Sequence, residues 1–356
     1  MTGSHPPAPR RVLLTRLSAI GDCILTIPLA VELKRLWPDC HLTWAVSCAA
    51  SQLLETHPSI DTLLTFDKSW LRKPADFAEI RRDLRSREFD LALDPQGLSK
   101  SALLGWLSGA PIRVGFDYSH GREVAPLVAT RRIKRTLRHK VDTYRQLLSP
   151  WTKIAEGQGQ FQMPKYEEAA NSADRILTKL GLSAPAIEGW FAINPGAGWP
   201  TRIWPVQRHG ILAREIFREY GIRSLIFWAG ESELLMANVI AEESRGAAVV
   251  APATSLQELV ELTRRASLLV TCDTGPLHIA SAVGTPTVSL HGVTWADETG
   301  PYAIPNVAIQ SPLVPHPKKL VRRGVNSAMH AIEVDEVIHG VSSLLASQRA
   351  QRRLAA

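Results

Sequence analysis

The chain is poor in cysteine: Cys23, Cys40, Cys48 and Cys272 are the only four in 356 residues. No two of them form a CxxC pair, and no Cys or His stands at zinc-finger spacing. These absences exclude a zinc finger. We therefore expect buried, reduced thiols of the kind found in cytosolic proteins.

Aromatic residues are also few, at 6% of the chain. The apolar fraction of 45% and the charged fraction of 21% nevertheless exclude an intrinsically disordered chain. A length of 356 residues is too great for one ordinary core and suits two domains of roughly 150 residues each. The 23 Gly and 24 Pro indicate many turns between strands and helices.

Long apolar runs free of charge are missing. The run 17–31 follows several arginines and resembles a signal peptide, but Asp22 interrupts it. The run 268–290 contains Asp273, His278 and two prolines, so a spanning helix there would bury a charge and break. We expect a cytoplasmic protein without a transmembrane segment.

Several common nucleotide and metal motifs are absent as well. No glycine loop is followed by GK[ST], and no GxGxxG fingerprint occurs, so a P-loop and a dinucleotide-binding turn are both excluded. There is no clear DxD motif. Nothing in the sequence supports a hydride-transfer cofactor.

Positive charge is present in excess, but only in the first half. The formal net charge is +7; residues 1–165 hold 24 Lys/Arg against 16 Asp/Glu, and residues 166–356 hold 17 against 18. An excess of this kind indicates an anionic partner. If the halves are separate domains, the first one meets the more anionic partner.

Short apolar runs alternate with amphipathic stretches throughout the chain. The run 11–17 starts this pattern and the run 190–194 restarts it. The alternation favours doubly wound parallel sheets, and hence an α/β protein with two Rossmann-like domains. We place an N-terminal domain at 1–165, a linker helix at 166–185, a C-terminal domain at 186–330 and a closing helix at 331–356.

The loop after the first predicted strand contains a candidate catalytic residue. Asp22 follows Gly21 where a helix begins. Aspartate is a favoured helix N-cap, and that role alone would explain it. The alternative is a general base that accepts a proton from an attacking sugar hydroxyl. The N-terminus of the helix would favour the ionised form.

The segment DTGPLH at 273–278 also opens a helix after a predicted strand. The backbone N–H groups of Thr274 and Gly275 are donors of the type that binds phosphate at helix N-termini. His278 lies one turn further along. A capped helix with a core histidine is the alternative, but the convergence of Asp273, Thr274, Gly275 and His278 on one turn favours a binding site.

Two further loops of the second half follow predicted strands. In NPGAGWPTRIWP at 194–205, the glycines permit close backbone approach and Arg202 would neutralise a diphosphate. In AGESE at 229–233, either Glu231 or Glu233 would accept hydrogen bonds from ribose hydroxyls. Acidic residues in the first turn of a helix explain the second loop equally well.

Basic residues of the first half form two clusters. One contains Lys68, Arg72 and Lys73, and the other is TRRIKRTLRHK at 130–140. Most charge runs are solvated faces, and that is our expectation here. The alternative is that they receive phosphates or carboxylates of an acceptor. Nucleic acid is a poorer candidate because no RRM, KH or helix-turn-helix signature occurs.

Taken together, these motifs resemble glycosyltransferase family 9, the ADP-heptose:lipopolysaccharide heptosyltransferases. The resemblance runs from Arg11 to the last helix, and the stretch 90–148 is most similar to the members that add the first heptose. The matching segments are RLSAIGDCILTIP, LDPQGLSKSALL, GREVAPL, the W-P that closes NPGAGWPTRIWP, and CDTGPLHIASAVGTPTVSLHG.

The resemblance implies a GT-B fold, in which two Rossmann-like domains with parallel sheets face an interdomain cleft. It implies that Asp22 is the catalytic base. The donor-binding residues it implies are Ala197, Gly198, Arg202, Glu231 or Glu233, Asp273, Thr274, Gly275 and His278. The acceptor-binding residues are Lys68, Arg72, Lys73 and Arg122. Arg202 stands where the family usually has lysine, and backbone amides at Ala197 and Gly198 replace hydroxyl residues.

The implied reaction is an inverting transfer of heptose from ADP-heptose to the Kdo region of a Kdo–lipid A acceptor, with no required metal and no cofactor. The basic first half agrees with an acidic acceptor. The acceptor's lipid would bring the protein to the cytoplasmic face of the inner membrane. Another nucleotide-sugar transferase of the same fold and a non-catalytic protein that binds anionic lipid remain the alternatives.

Overall fold

The computed structural model describes residues 7–67, 70, 74–182, 189–313 and 322–355. The chain divides into two units, Met1–Pro164 and Lys165–Ala356, which are called unit 1 and unit 2 below. No helix of the described residues is both long enough and apolar enough to cross a bilayer.

Unit 1 consists of one parallel sheet and the helices that pack on it. Its strands are β1 (Arg11–Thr15), β2 (His41–Ser47), β3 (Thr62–Phe66), β4 (Leu91–Asp94), β5 (Ile112–Phe116) and β6 (Arg131–Ile133). Its helices are α1 (Ile20–Leu36), α2 (Cys48–Ser51), α3 (Pro74–Ser86), α4 (Ser99–Leu107), α5 (Ala125–Val128) and α6 (Lys140–Arg145). The strand order is β3-β2-β1-β4-β5-β6.

Unit 2 repeats this architecture. Its strands are β7 (Phe191–Asn194), β8 (Ser224–Ile226), β9 (Ala248–Val250), β10 (Leu269–Cys272), β11 (Thr287–His291) and β12 (Asn306–Gln310). Its helices are α7 (Glu167–Lys179), α8 (Val206–Tyr220), α9 (Gly230–Glu243), α10 (Leu256–Arg265), α11 (Gly275–Val283), α12 (Ala296–Thr299), α13 (Ser327–His330) and α14 (Val334–Ala355). The strand order is β12-β11-β10-β7-β8-β9.

Both sheets follow the doubly wound order, in which the first strand of the unit lies beside the fourth. Helices cover both faces of such a sheet, so the central strands read as continuous apolar runs. All four residues of β7 and of β10 are buried, and so are four of the five in β1. The prediction of an α/β protein with two doubly wound sheets is confirmed.

Packing within unit 2 extends to both of its terminal helices. Arg265 of α10 binds Asp174 of α7, with Nε 2.7 Å from Oδ1, and Glu261 of α10 accepts a hydrogen bond from the Tyr166 N–H. The helix predicted as a linker therefore packs against unit 2. At the other end, Val337, Val341 and Leu345 of α14 are buried in the core of this unit.

Three details differ from the sequence-based expectations. The basic run 130–140 contains the edge strand β6 and the start of α6, although Arg131, Arg132 and Lys134 are exposed, as expected of a solvated face. The strand β12 was not predicted. Cys48 is exposed, whereas the other three cysteines are buried as expected.

Candidate active site

Each sheet has its switch point between its first and fourth strands, at β1/β4 in unit 1 and at β7/β10 in unit 2. In doubly wound sheets, ligands bind beyond the carboxyl ends of the strands at this point. In unit 1 the segments there are 16–22, whose last three residues begin α1, and 95–98. In unit 2 they are 195–205 and 273–275. These segments contain Asp22 and six of the nine residues predicted at the donor site.

Asp22 is the third residue of α1, and three side chains donate to its Oδ1. The N-cap of this helix is Ala19, so Asp22 does not cap it and the capping explanation is wrong. Arg16 Nη2 lies 2.9 Å from Oδ1, Lys140 Nζ lies 3.2 Å away, and the Tyr144 hydroxyl lies 3.3 Å away. The Asp22 side chain is 28% exposed, so an attacking hydroxyl can reach it.

Arg16 is the most firmly held of these three donors. Its side chain is 5% exposed; Nη1 donates to the Pro95 carbonyl at 3.0 Å, and Nη2 donates to the Tyr144 hydroxyl at 3.2 Å. Its backbone carbonyl accepts a hydrogen bond from the Trp44 indole N–H. Burial opposes the charge of Arg16, but Tyr144 and Asp22 outweigh it and the pKa is raised, so this residue is a permanent buried cation.

Two neutral groups complete this part of unit 1. Burial raises the pKa of Tyr144, which therefore keeps its proton as a donor to Asp22. His120 packs edge-on against Phe116, with ring centroids 4.8 Å apart. Burial, together with the charges of Arg135 and its cationic neighbours, lowers the pKa of His120 to about 3. The histidine is therefore neutral in a strongly positive environment.

Asp94 organises the loop that follows β4. Its Oδ1 accepts hydrogen bonds from the backbone N–H groups of Gln96, at 3.1 Å, and Gly97, at 3.0 Å. Burial raises the pKa of Asp94 to about 6. The Gly97 carbonyl in turn accepts a hydrogen bond from the Arg122 N–H at 2.8 Å. The backbone of Arg122, a predicted acceptor-binding residue, therefore lies beside this loop, and Arg122 is exposed.

In unit 2, Asp273 is buried against three basic side chains. Arg202 Nη1 lies 3.3 Å from Asp273 Oδ2, and His278 Nε2 lies 3.8 Å from Oδ1. Burial opposes ionisation of Asp273, but Arg202, His278 and His291 outweigh it and hold its pKa below the usual range. The structure therefore brings together three residues that the sequence predicted, and it adds His291.

Arg202 also stacks on a tryptophan of its own loop. Its guanidinium carbon lies 3.9 Å from the centre of the Trp199 ring, and that of Arg322 lies 4.8 Å from the same centre. Arg202 Nη1 donates to the Asp273 carbonyl at 3.0 Å. A guanidinium held from three directions stays at the end of β10, beside the N-terminus of α11.

Glu233 and Glu231 differ in their surroundings. Glu233 is half-buried, and its Oε2 accepts a hydrogen bond from the Ala229 N–H at 2.8 Å. Its side chain lies directly against Gly196, where any Cβ would collide with the carboxylate. Glu231 is exposed. Burial raises the pKa of Glu233. Glu233 therefore lies against the loop that follows β7.

The remaining donor-site predictions lie on the same loops. Thr274 is the N-cap of α11 with an extended backbone, and Gly275 is the first residue of that helix. Ala197 packs on the core of unit 2, and Gly198 is exposed beside it. Among the described residues, no group of three His, Cys, Asp or Glu side chains is placed to hold a metal ion.

The site contains residues that the sequence analysis did not predict. Conversely, three predicted residues are not among those that the structure describes. Lys68, Arg72 and Lys73 lie outside the described residues. Arg16, Lys140, Tyr144, His120 and His291 were not singled out. Arg16 could have been found from the sequence, because it directly follows β1 and lies six residues before Asp22. Lys140 belongs to the basic run 130–140, but no feature of that run indicated that it would bind Asp22, which is 118 residues away in sequence.

The duplicated doubly wound architecture and the acidic and basic side chains at both switch points define an α/β transferase of the GT-B class. The model of glycosyltransferase family 9 (heptosyltransferase) matches residues 77–329. The chain belongs to this family and is a glycosyltransferase.

The relatives found by sequence and by structure agree with this assignment. Lipopolysaccharide heptosyltransferase 1 of Salmonella typhimurium is 27% identical over 85% of this chain and 94% of its own length. A glycosyltransferase family 9 structure from Veillonella parvula has a TM-score of 0.81 at 24% identity, covering 95% of this chain and 97% of its own. The heptosyltransferase WaaC of E. coli with ADP has a TM-score of 0.74 at 22% identity, covering 94% and 99%.

Proposed function

We propose that this glycosyltransferase moves heptose from ADP-heptose to the Kdo region of a lipopolysaccharide core acceptor, with inversion at the anomeric carbon. The observation on which this rests is the carboxylate of Asp22, which is partly exposed at the switch point of unit 1. The names of the relatives supply the substrates: they are lipopolysaccharide heptosyltransferases, and one related structure contains ADP-2-deoxy-2-fluoro heptose.

Asp22 is the general base in this proposal. It takes the proton of a Kdo hydroxyl while that oxygen bonds to the anomeric carbon of heptose. The bond from this carbon to the diphosphate oxygen breaks, and ADP leaves from the opposite face with the electron pair. A positioned base of this kind contributes roughly 10²–10⁴-fold to the rate.

Unit 2 provides the charge that stabilises the departing ADP. Arg202 is held at the end of β10 by Asp273 and Trp199, where it faces the growing charge of the diphosphate together with the Thr274 and Gly275 amides. Asp273 and His278 hold the heptose and diphosphate groups, and Glu233, the half-buried acid of its pair, holds the ribose. Such fixed donors cost no reorganisation when the charge develops.

The proposal assigns this stabilisation to protein groups and therefore expects transfer without added metal. A chelator tests this part directly. With EDTA in excess, we expect the initial rate to stay within about twofold of the untreated rate. A loss that Mg²⁺ or Mn²⁺ restores would contradict the metal-independent mechanism.

We also propose that the protein associates with the cytoplasmic face of the inner membrane through unit 1. Trp106, Tyr118, Val124 and Leu127 are large apolar side chains that are exposed on α4, on α5 and in the loop before α5. Arg131, Arg132 and Lys134 are exposed on the neighbouring edge strand or just after it. Exposed apolar side chains next to basic residues favour binding to a membrane surface that contains anionic lipid.

Sedimentation with lipid vesicles tests the membrane proposal. We expect binding to vesicles that contain phosphatidylglycerol and little binding to pure phosphatidylcholine. Leu127→Glu should weaken binding, because Leu127 is 66% exposed in unit 1, while Leu235→Glu is the matched control, because Leu235 is 63% exposed in unit 2. Equal binding by both variants would contradict the assignment of this surface.

The reaction itself is tested by incubation with ADP-heptose and Kdo–lipid A, followed by mass analysis of the acceptor. The proposal expects one heptose to be added and one ADP to be released per turnover. A panel of other nucleotide sugars separates the rival transferases of the same fold. Preference for another donor would overturn the assigned substrate.

A further inference from the structure

The surroundings of Asp22 are unusual for a base. Arg16, Lys140 and Tyr144 all donate to one oxygen of this carboxylate. Two cations and a phenol stabilise the charged form of a carboxylate, and a carboxylate stabilised in this way accepts a proton poorly. The base becomes more effective if one of these donors leaves when the acceptor binds.

Arg16 and Tyr144 are held in place. Arg16 is 5% exposed and is fixed by the Pro95 carbonyl and the Tyr144 hydroxyl. Tyr144 is buried on α6, and the guanidinium of Arg16 lies 4.9 Å from the centre of its ring. Moving either group would open a buried network of hydrogen bonds.

Lys140 is differently placed. It is the first residue of α6, and its side chain is 30% exposed. An ammonium group on a flexible four-carbon stem changes partner more readily than a buried guanidinium. Lys140 is therefore the one of the three donors that can move while the fold stays intact.

The other charged or titratable groups near Asp22 do not substitute for Lys140. His120 is neutral, and the positive charges around it include Arg16, Lys140, Arg122 and Arg135. Cys23 on α1 is buried, and burial raises the pKa of its thiol to about 12. Asp94, at the end of β4, is occupied by the amides of its own loop. An anionic group of the acceptor would enter a positive field that has Lys140 at its exposed edge.

We propose that Lys140 restrains the base until the acceptor arrives: it binds Asp22 in the free enzyme and transfers to an anionic group of the acceptor in the complex. This inference rests on the proposed function, because it requires an acidic acceptor. Lys140 is thus a positioning residue that couples acceptor binding to the strength of the base. Arg16 stays on Asp22 throughout and keeps the carboxylate in position.

The pH dependence of transfer distinguishes free enzyme from complex. The profile of kcat/KM for the acceptor reports groups of the free enzyme, and that of kcat reports groups of the complex. In the wild type, the acid limb of kcat/KM should lie at lower pH than the acid limb of kcat. The reason is that Lys140 binds Asp22, and so stabilises its charged form, only in the free enzyme. In Lys140→Met, the kcat/KM limb should move up by about one pH unit, while the kcat limb stays in place.

Two variants serve as controls for this measurement. Lys153→Met removes an exposed lysine elsewhere in unit 1 and should leave both limbs unchanged. Lys140→Arg restores a cation and should restore the separation of the limbs. The inference is wrong if Lys140→Met moves neither limb, or if it moves both equally. No turnover by the wild type with any acceptor would instead contradict the proposed function.

The inference can also be tested without turnover. The Asp22 carboxyl can be followed by 13C NMR in the free full-length protein, with Asp22→Asn identifying its signal. Its pKa should rise by about one unit in Lys140→Met and stay unchanged in Lys153→Met. An unchanged pKa in Lys140→Met would overturn the inference, whatever the acceptor.

Discussion

Asp22 of unit 1 and Asp273 of unit 2 both lie at the switch point of a doubly wound sheet, but their exposure differs. The Asp22 side chain is 28% exposed and the Asp273 side chain is 4% exposed. Asp22 receives donors on one oxygen, whereas Asp273 is enclosed by Arg202, His278 and His291. The exposed carboxylate can exchange a proton with a substrate. The enclosed one is suited to holding basic groups and a ligand in place.

A second comparison shows that neighbours, more than position in the fold, determine the charge. Asp94 ends the fourth strand of unit 1, and Asp273 directly follows the fourth strand of unit 2. Burial raises the pKa of Asp94 to about 6, while basic neighbours outweigh burial and lower the pKa of Asp273. The same architecture therefore supports two acids with opposite shifts.

The largest effect is expected from Asp22→Ala. Removing the proposed base should lower kcat by about 10²–10⁴-fold and leave the affinity for ADP within twofold, since the proposed donor-binding residues lie in unit 2. Calorimetric titration with ADP and an assay of heptose transfer measure the two quantities. Comparable turnover by this variant would remove Asp22 from the mechanism.

Arg202 should show the next largest effect. Arg202→Ala removes a fixed cation from the proposed diphosphate site, and loss of one such electrostatic contact typically lowers kcat by about 10²–10³-fold. Arg202→Lys retains the charge but loses the planar contact with Trp199, so a loss of roughly tenfold is expected. Equal losses in the two variants would show that geometry, and not charge, is what matters.

Asp273→Ala should affect stability as well as donor binding. It leaves the partly buried Arg202 without its carboxylate, which costs about 2 kcal/mol in the free energy of unfolding, measured by urea denaturation at pH 7. Because the pKa of folded Asp273 is lowered, this contribution is present above the ordinary aspartate pKa of about 4 and is lost as the pH falls further. The stability difference between the proteins should shrink below that pH.

A difference that persists undiminished in acid would mean that Asp273 acts through packing, and not through its charge. Asp273→Asn preserves the shape of the side chain and is the matched control. It should lose most of the charge contribution and little of the packing contribution.

The smallest of these effects is expected from Arg122→Ala. Arg122 is exposed beside the loop that follows β4, so its removal should raise the KM for the acceptor by about tenfold, equivalent to about 1.4 kcal/mol. The KM for ADP-heptose should not change. Arg81→Ala, which removes an exposed arginine of α3 in unit 1, is the control. An unchanged acceptor KM for Arg122→Ala would contradict its assigned role.

Much of the fold could be predicted because the local signals were strong. Buried strands such as β7 and β10 are mostly apolar, and glycine and proline mark the loops after them. Asp22 and Asp273 were found for the same reason, since each follows such a strand. The short edge strand β6 was not predicted, because its residues Arg131 and Arg132 are exposed and have the composition of a solvated segment.

The partners of Asp22 could not be predicted from local patterns. Lys140 and Tyr144 are more than a hundred residues away in sequence and reach Asp22 only because α6 packs against α1. The enclosure of Asp273 by His291 likewise depends on the pairing of β10 with β11. Contacts of this kind follow from tertiary packing, which a single sequence does not display.

The most direct test of the account is the pH dependence of kcat in the wild type and in Asp22→Asn at saturating ADP-heptose and acceptor. In the wild type, kcat should fall tenfold per pH unit on the acid side, because protonated Asp22 cannot accept the hydroxyl proton. The residual kcat of Asp22→Asn should be independent of pH over the same range. The same acid limb in both proteins would show that another group is the base.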